Sequence, residues 1–321
     1  MWKKRITRRA LMETGVTAVA ASSLLSSRSE AAPNPPSLDK VRFGLNLLVY
    51  TATFSEDKTD LITKVADMGY DGVEIPFNDL DVLDAKATAR AREKAGVGLT
   101  SCCVLLPGTS ITSTDSSERK IGIERLRRMA DITAEMGGDT VAGPLYAPVR
   151  ELTGRARTAD EWKWGVEGLR AAAEHAQKAG VILAVEPLNR FETHFLNTTE
   201  DAVKLVKAVD HPNIKVQIDT FHANIEEKNT PAAVRAAGSF LGHFHASESD
   251  RGVPGTGQVP WKQCFSVLRE IDYKGWITIE SFATGIVDLC AAACIWRPIY
   301  ESADDLAIKG LAFLKEMART A

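Results

Sequence analysis

Cysteine is sparse, with five residues in a chain of 321. That excludes a disulfide-stapled scaffold, and the odd number leaves at least one thiol unpaired within the chain. Neither sign of charge is in surplus: 39 basic and 42 acidic residues give a net charge of −3. Nucleic-acid binders usually carry a basic excess or stripe, so no nucleic-acid partner is expected. No uninterrupted apolar run reaches the ~20 residues of a membrane-spanning helix. The Gly-x-Ser-x-Gly elbow, the His-Glu-x-x-His helix and the Walker Lys-Ser/Thr loop are all missing. What remains is ordinary globular composition, 45% hydrophobic and 25% charged. The length suits two domains or one α/β barrel of about 250 residues.

Residues 1–32 stand apart from the rest. Lys3, Lys4, Arg5, Arg8 and Arg9 form a basic start, a weakly apolar stretch follows over 10–25, and Ser29-Glu30-Ala31 offers a cleavage triplet. This is a signal-peptide layout, too short and too rich in Ser and Ala to anchor permanently. The Arg8-Arg9 pair, followed by Ala10-Leu11, resembles a twin-arginine export signal and predicts a periplasmic protein. The alternative is a basic disordered tail. That export route carries folded proteins, which hints at a cofactor loaded beforehand. Pro33, Pro35 and Pro36 mark 33–40 as a linker, leaving 41–321 for the fold.

From Val41 onward, apolar runs at 43–49, 72–75, 98–105, 140–144, 181–186, 214–219, 241–245 and 276–280 alternate with longer amphipathic segments. The spacing predicts helices over 58–69, 84–95, 117–136, 159–180, 198–210, 261–271 and 303–320. Gly69, Gly96, Gly137 and Gly180 close four of them, as expected where a helix ends in the left-handed conformation. Strand–helix alternation calls for a parallel sheet, and eight units call for a single closed (β/α)8 TIM barrel. A doubly wound open sheet is the competing arrangement.

Four late strands each end in a residue able to bind a metal: Glu186, Asp219, His245 and Glu280. In a barrel the C-terminal strand ends converge on one mouth. A lone acid ending a strand is more often a loop cap or an ion-pair partner. Four at corresponding positions are another matter, because three carboxylates buried together need a cation. Three carboxylates and an imidazole suit one divalent ion per chain, Mn²⁺, Mg²⁺ or Co²⁺, whereas structural zinc favours cysteine.

Other candidates sort by position. His243 shares a face with His245 one layer deeper and reads as a packed barrel residue. His222, three residues past Asp219, falls on the mouth loop, within reach of a ligand. His175 reads as solvated, His211 as a turn residue before Pro212, and His194 is ambiguous. The 248–261 segment holds Gly255-Thr256-Gly257. It opens no helix in the Rossmann manner, and reads as a rigid Pro/Gly turn presenting Arg251 inward. Cys102 and Cys103 point to opposite faces of one strand and read as packed thiols. Cys290 and Cys294, spaced as on one helix face, would have Cα atoms about 6 Å apart with side chains poorly directed for a disulfide.

The run Glu186-Pro187-Leu188-Asn189-Arg190-Phe191-Glu192-Thr193 resembles the strand-five signature of the ketose 3-epimerases, the D-tagatose and D-psicose 3-epimerase group of xylose-isomerase-like barrels. The resemblance continues through Asp219-Thr220-Phe221-His222, Gly242-His243-Phe244-His245, Glu248 to Arg251, Pro254 to Gly257, Trp261 and Glu280-Ser281-Phe282, and reaches back to Gly69–Glu74. It covers about residues 41–315. It implies Glu186, Asp219, His245 and Glu280 as ligands of one divalent metal, Mn²⁺ favoured, with Glu186 and Glu280 doubling as the acid–base pair. Glu192, His222 and Arg251 would hold the substrate near C1–C3. The partner implied is a free sugar, and the enzyme is expected to be a homo-oligomer, dimer or tetramer.

The chemistry suits those groups. Inverting C3 of a 2-ketose means removing a weakly acidic proton beside a carbonyl. A divalent ion stabilises the developing enediolate, and a base and an acid must stand on opposite faces. The same parts would serve an aldose–ketose or related hydroxy-carbonyl isomerase. An exported sugar-binding protein would not need two opposed carboxylates, and an abasic-site endonuclease would need more histidine than the six present.

Overall fold

The computed structural model describes residues 37–76 and 79–321. The expected export segment and the start of the linker, residues 33–36, lie outside them. Leu38, within the 33–40 segment, is buried in the core.

Eight strands form a closed barrel, and every neighbouring pair is parallel. They are β1 (Arg42–Asn46), β2 (Gly72–Pro76), β3 (Gly98–Cys102), β4 (Thr140–Gly143), β5 (Ile182–Val185), β6 (Ile214–Asp219), β7 (Leu241–Ala246) and β8 (Trp276–Ile279). β8 returns to pair with β1, with Gly44 opposite Thr278, which rules out the open sheet. The helices are α1 (Asp60–Asp67), α2 (Ala85–Ala95), α3 (Ser116–Glu135), α4 (Ala159–Ala179), α5 (Thr199–Val209), α6 (Thr220–Glu226), α7 (Thr230–Ala237), α8 (Trp261–Glu270), α9 (Val287–Ala293) and α10 (Ala303–Thr320).

Local chemistry explains the element ends. Gly96 (φ 69°) and Gly180 (φ 74°) close α2 and α4 in the left-handed conformation, as expected. α4 starts with a capping box: Thr158 Oγ1 accepts from Glu161 N, and Glu161 accepts from Thr158 N. Trp276 seals the floor, where its ring fills the space that side chains on Gly72 and Gly98 would need. Arg42 stacks 4.1 Å above that ring.

Three helices exceed the expectations: α6, α7 and α9. His222 therefore sits in the first turn of α6 and not on a loop. The cause is Asp219, which ends β6 and also caps α6, its Oδ1 accepting from Phe221 N at 2.6 Å and His222 N at 3.2 Å. Among the described residues, no helix is long and apolar enough to cross a membrane.

Candidate active site

Parallel register brings the strand-end residues together. Asp219 on β6 pairs with His245 on β7, and Glu186 and Glu280 each follow the last residue of a strand, β5 and β8. Glu186, Asp219 and His245 offer ligand atoms within 4.8 Å of one another, all buried. Glu280 joins them, its Oε1 3.5 Å from His245 Nδ1. All four expected metal-site residues thus meet at one mouth.

The electrostatics are those of a site built around positive charge. Burial, then Asp219 and Glu280, push the Glu186 carboxyl well above the ordinary range. Burial acts the same way on Asp219, but Arg251 foremost, with His245 and His222, outweighs it and holds that carboxyl well down. Burial alone would neutralise His245; Glu74 and Glu280 reverse this and raise its pKa well above the usual value.

Glu74, from β2, organises the imidazole. Its Oε1 lies 2.7 Å from His245 Nε2 and its Oε2 2.7 Å from His243 Nε2, all fully buried. Asn46 Nδ2 and Thr100 Oγ1 also donate to it, each at 2.9 Å. Burial opposes its ionisation, yet the two imidazoles prevail and keep it a carboxylate. His243 is the packed residue its strand position implies. With Nε2 committed to Glu74, His245 turns Nδ1 toward Asp219 and Glu280, the orientation a metal ligand needs. Gln217 Nε2 stands 2.9 Å from that Nδ1, and its buried Oε1 has no partner. Buried carboxylates converging on one imidazole nitrogen make a hard donor set that fits a divalent cation. Glu74, Cys102 and His245 form a second possible triad. It fits poorly, because the Glu74 oxygens are already engaged and burial, with Glu74 and Glu280, pushes the Cys102 thiol well up, keeping it protonated.

The expected substrate contacts surround this cluster. Arg251, at φ 65°, is buried; its Nη1 donates to Asp219 Oδ2 (2.8 Å), Ser247 Oγ (2.8 Å) and Glu280 Oε2 (2.7 Å). Its guanidinium lies 4.1 Å over Phe221 and 5.2 Å over Phe282. Glu248 anchors the turn that presents it, accepting from the backbone N–H of Ser249, Gly255 and Val259 and from Trp261 Nε1. His222 Nδ1 accepts from Asn189 N at 3.1 Å, and burial keeps the ring neutral. Its Nε2 lies 3.8 Å from Glu186 Oε1 and 3.3 Å from Arg251 Nη2. Glu192 accepts from Asn189 Nδ2 at 3.0 Å.

Glu186, Glu192, His222, Arg251 and Glu280 line one cavity of about 210 Å³ under α9. Cys102 and Cys103 line it too; Cys102 Sγ lies 3.8 Å from Glu280 Oε1, and Cys103 Sγ lies 3.3 Å from Met129 Sδ. A larger depression, about 870 Å³ beside α7 and α8, touches none of these residues. His194 holds Glu161 at 3.2 Å, His175 holds Asp131 at 2.7 Å, and His211 accepts from Asn213 N. Those three histidines have local structural partners. All five cysteines are free.

Comparison with known proteins agrees with this geometry. The family model described as the xylose isomerase-like TIM barrel matches residues 62–317. A probable ketose 3-epimerase of Synechocystis is 34% identical over 281 residues, 88% of this chain and 98% of that protein. A D-psicose 3-epimerase of Agrobacterium fabrum is 35% identical over 76% of this chain and 86% of its own. The crystal structure of a Methylomonas D-allulose 3-epimerase in complex with D-allulose superposes with a TM-score of 0.82 at 32% identity, over 88% of this chain and all of the other. The chain belongs to the xylose isomerase-like TIM barrel family and, within it, to the isomerases of the ketose 3-epimerase group.

Proposed function

We propose that the protein interconverts C3 epimers of unphosphorylated 2-ketoses of the D-tagatose, D-fructose, D-psicose and L-ribulose type. The observation that carries this is the pair Glu186 and Glu280, contributed by non-adjacent strands to one small buried cavity. Glu186, Asp219, His245 and Glu280 would hold the divalent ion, Mn²⁺ in first place with Mg²⁺ or Co²⁺ as alternatives. That ion supplies Lewis-acid stabilisation of negative charge developing on the ketose oxygens. One glutamate takes the C3 proton from one face, and the other returns a proton from the opposite face. Because inversion runs both ways, the two exchange roles with direction. His222 Nε2 and the Arg251 guanidinium meet substrate oxygens and hold the open-chain ketose in one orientation. Phe221, Phe282 and Leu289 give the cavity apolar walls that exclude water from the carbanion.

The wider reading includes a homo-oligomer, dimer or tetramer, and export to the periplasm, supported by Arg8-Arg9. The test is to incubate Mn²⁺-loaded protein with D-fructose, D-tagatose, D-psicose and L-ribulose and separate the products by chromatography. C3 epimers support the reading; aldose products or no conversion refute it.

A further inference from the structure

The reaction cavity continues past the barrel mouth. It shares Glu192, Phe221, Arg251 and Ala293 with an outer cavity of about 620 Å³. The inner chamber, about 210 Å³, lies below the usual range of about 300–1,000 Å³ for small-molecule sites and matches one sugar unit; the outer one falls within that range. Two large aromatics stand on the outer walls with most of their surface open: Trp296, 76% exposed, from the segment after α9, and Phe191, 68% exposed, from the segment after β5. Exposed aromatics at a cavity rim commonly mark a binding surface. Sugar rings present apolar C–H faces that stack on aromatic rings, and their hydroxyls need donors and acceptors. Asn189, Glu192, Arg150 and the Asp250–Arg297 pair (3.0 Å) supply them on the same walls.

We propose that this outer cavity is a second sugar subsite, so that the enzyme takes ketoses carrying a glycosyl group on a hydroxyl other than O2 or O3. The proposal rests on the epimerase reading for its chemistry, though not for its binding geometry. The reacting ketose occupies the inner chamber, and the glycosyl ring lies against Trp296 and Phe191. Two other occupants fit less well. A phosphate would face the Glu192 and Asp250 carboxylates, with Arg297 already paired. A second protein copy would bury charged side chains, which are depleted at the centre of protein interfaces.

Calorimetric titration of the Mn²⁺-loaded full chain tests this directly. The ligands are D-fructose, 6-O- and 1-O-α-D-glucosyl-D-fructose, and fructose 6-phosphate. At least one disaccharide is expected to bind roughly tenfold more tightly than D-fructose. Trp296→Ala should lower that affinity ratio about fivefold or more, and Trp296→Phe should restore it. Trp296 is exposed, so neither change threatens folding. The proposal is overturned if neither disaccharide outbinds D-fructose, if Trp296→Ala leaves the ratio unchanged, or if fructose 6-phosphate binds most tightly. It is also overturned if sedimentation shows Trp296→Ala dissociating an oligomer with sugar affinities unaltered. Tight disaccharide binding without any ketose turnover would leave the subsite standing and refute the epimerase reading.

Discussion

Glu74 Oε1 lies 2.7 Å from His245 Nε2, so a fully buried carboxylate on β2 decides which imidazole nitrogen β7 presents to the cluster at the mouth. Glu74→Gln keeps the shape but replaces a charge-assisted acceptor with an amide that can present the wrong group. Divalent-metal affinity should fall roughly 10–100-fold, measured by metal titration. Glu74→Ala goes further, removing the carboxylate that faces Nε2 of both His243 and His245, and should cost on the order of 3–5 kcal/mol of stability by denaturant unfolding. Unchanged metal affinity in Glu74→Gln would remove Glu74 from the account.

Glu186 and Glu280 should be separable by isotope. In deuterated solvent, Glu186→Gln and Glu280→Gln should each lose epimerisation by roughly 10²–10⁴-fold, since each lacks one proton carrier. Each should still exchange the C3 hydrogen of the one epimer whose proton faces the surviving glutamate. Equal exchange from both epimers in both variants would contradict opposed placement.

Much of this site is legible in the sequence, because a strand's last residue in a barrel must face the mouth. Glu186, Asp219, His245 and Glu280 could be picked out that way. Glu74 could not. It lies inside a five-residue strand buried on both faces, and its partners are far along the chain, His245 being 171 positions away. Its charge at an interior position was the available signal, since an unpaired buried carboxylate is too costly to keep. Cys102 is a packed thiol as its alternation suggests, yet the face it packs on is the cavity wall. α6 leaves no signal in the sequence because Asp219 both ends a strand and caps the helix, so strand and helix meet without a loop. α9 buries only Leu289, too little for an amphipathic pattern to show. By contrast, the glycines at 96 and 180 marked their helix ends correctly, because the positive φ there is a local demand.

The α4 cap carries an acid-sensitive contribution to stability. Burial works against ionised Glu161, but Arg155, Thr158 and His194 outweigh it and bring its pKa from 4.5 to about 2. A carboxyl held down in the folded state stabilises fully above its unfolded pKa and progressively less as pH falls through the folded one. Glu161→Gln should therefore cost on the order of 2 kcal/mol at pH 7, and the difference from wild type should shrink between about pH 5 and pH 2. Parallel denaturation curves across that range would check it, and a pH-independent difference would refute the cap's electrostatic role.

The export proposal rests on two adjacent arginines, Arg8 and Arg9. Replacing both, Arg8→Lys with Arg9→Lys, should leave the protein in the cytoplasm while barrel-dependent activity persists in lysate. Fractionation that finds the unaltered chain cytoplasmic and full-length would disprove the export proposal.

Proton transfer at C3 of an unphosphorylated ketose is followed by tracking that hydrogen. Mn²⁺-loaded protein should convert D-psicose and D-fructose into one another in deuterated water, with deuterium appearing at C3 of the product and none at C1, read by NMR. Chelation should stop the reaction, and added Mn²⁺ should restore it. Deuterium at C1 with an aldose product, or turnover only of the ketose phosphate, would contradict the account.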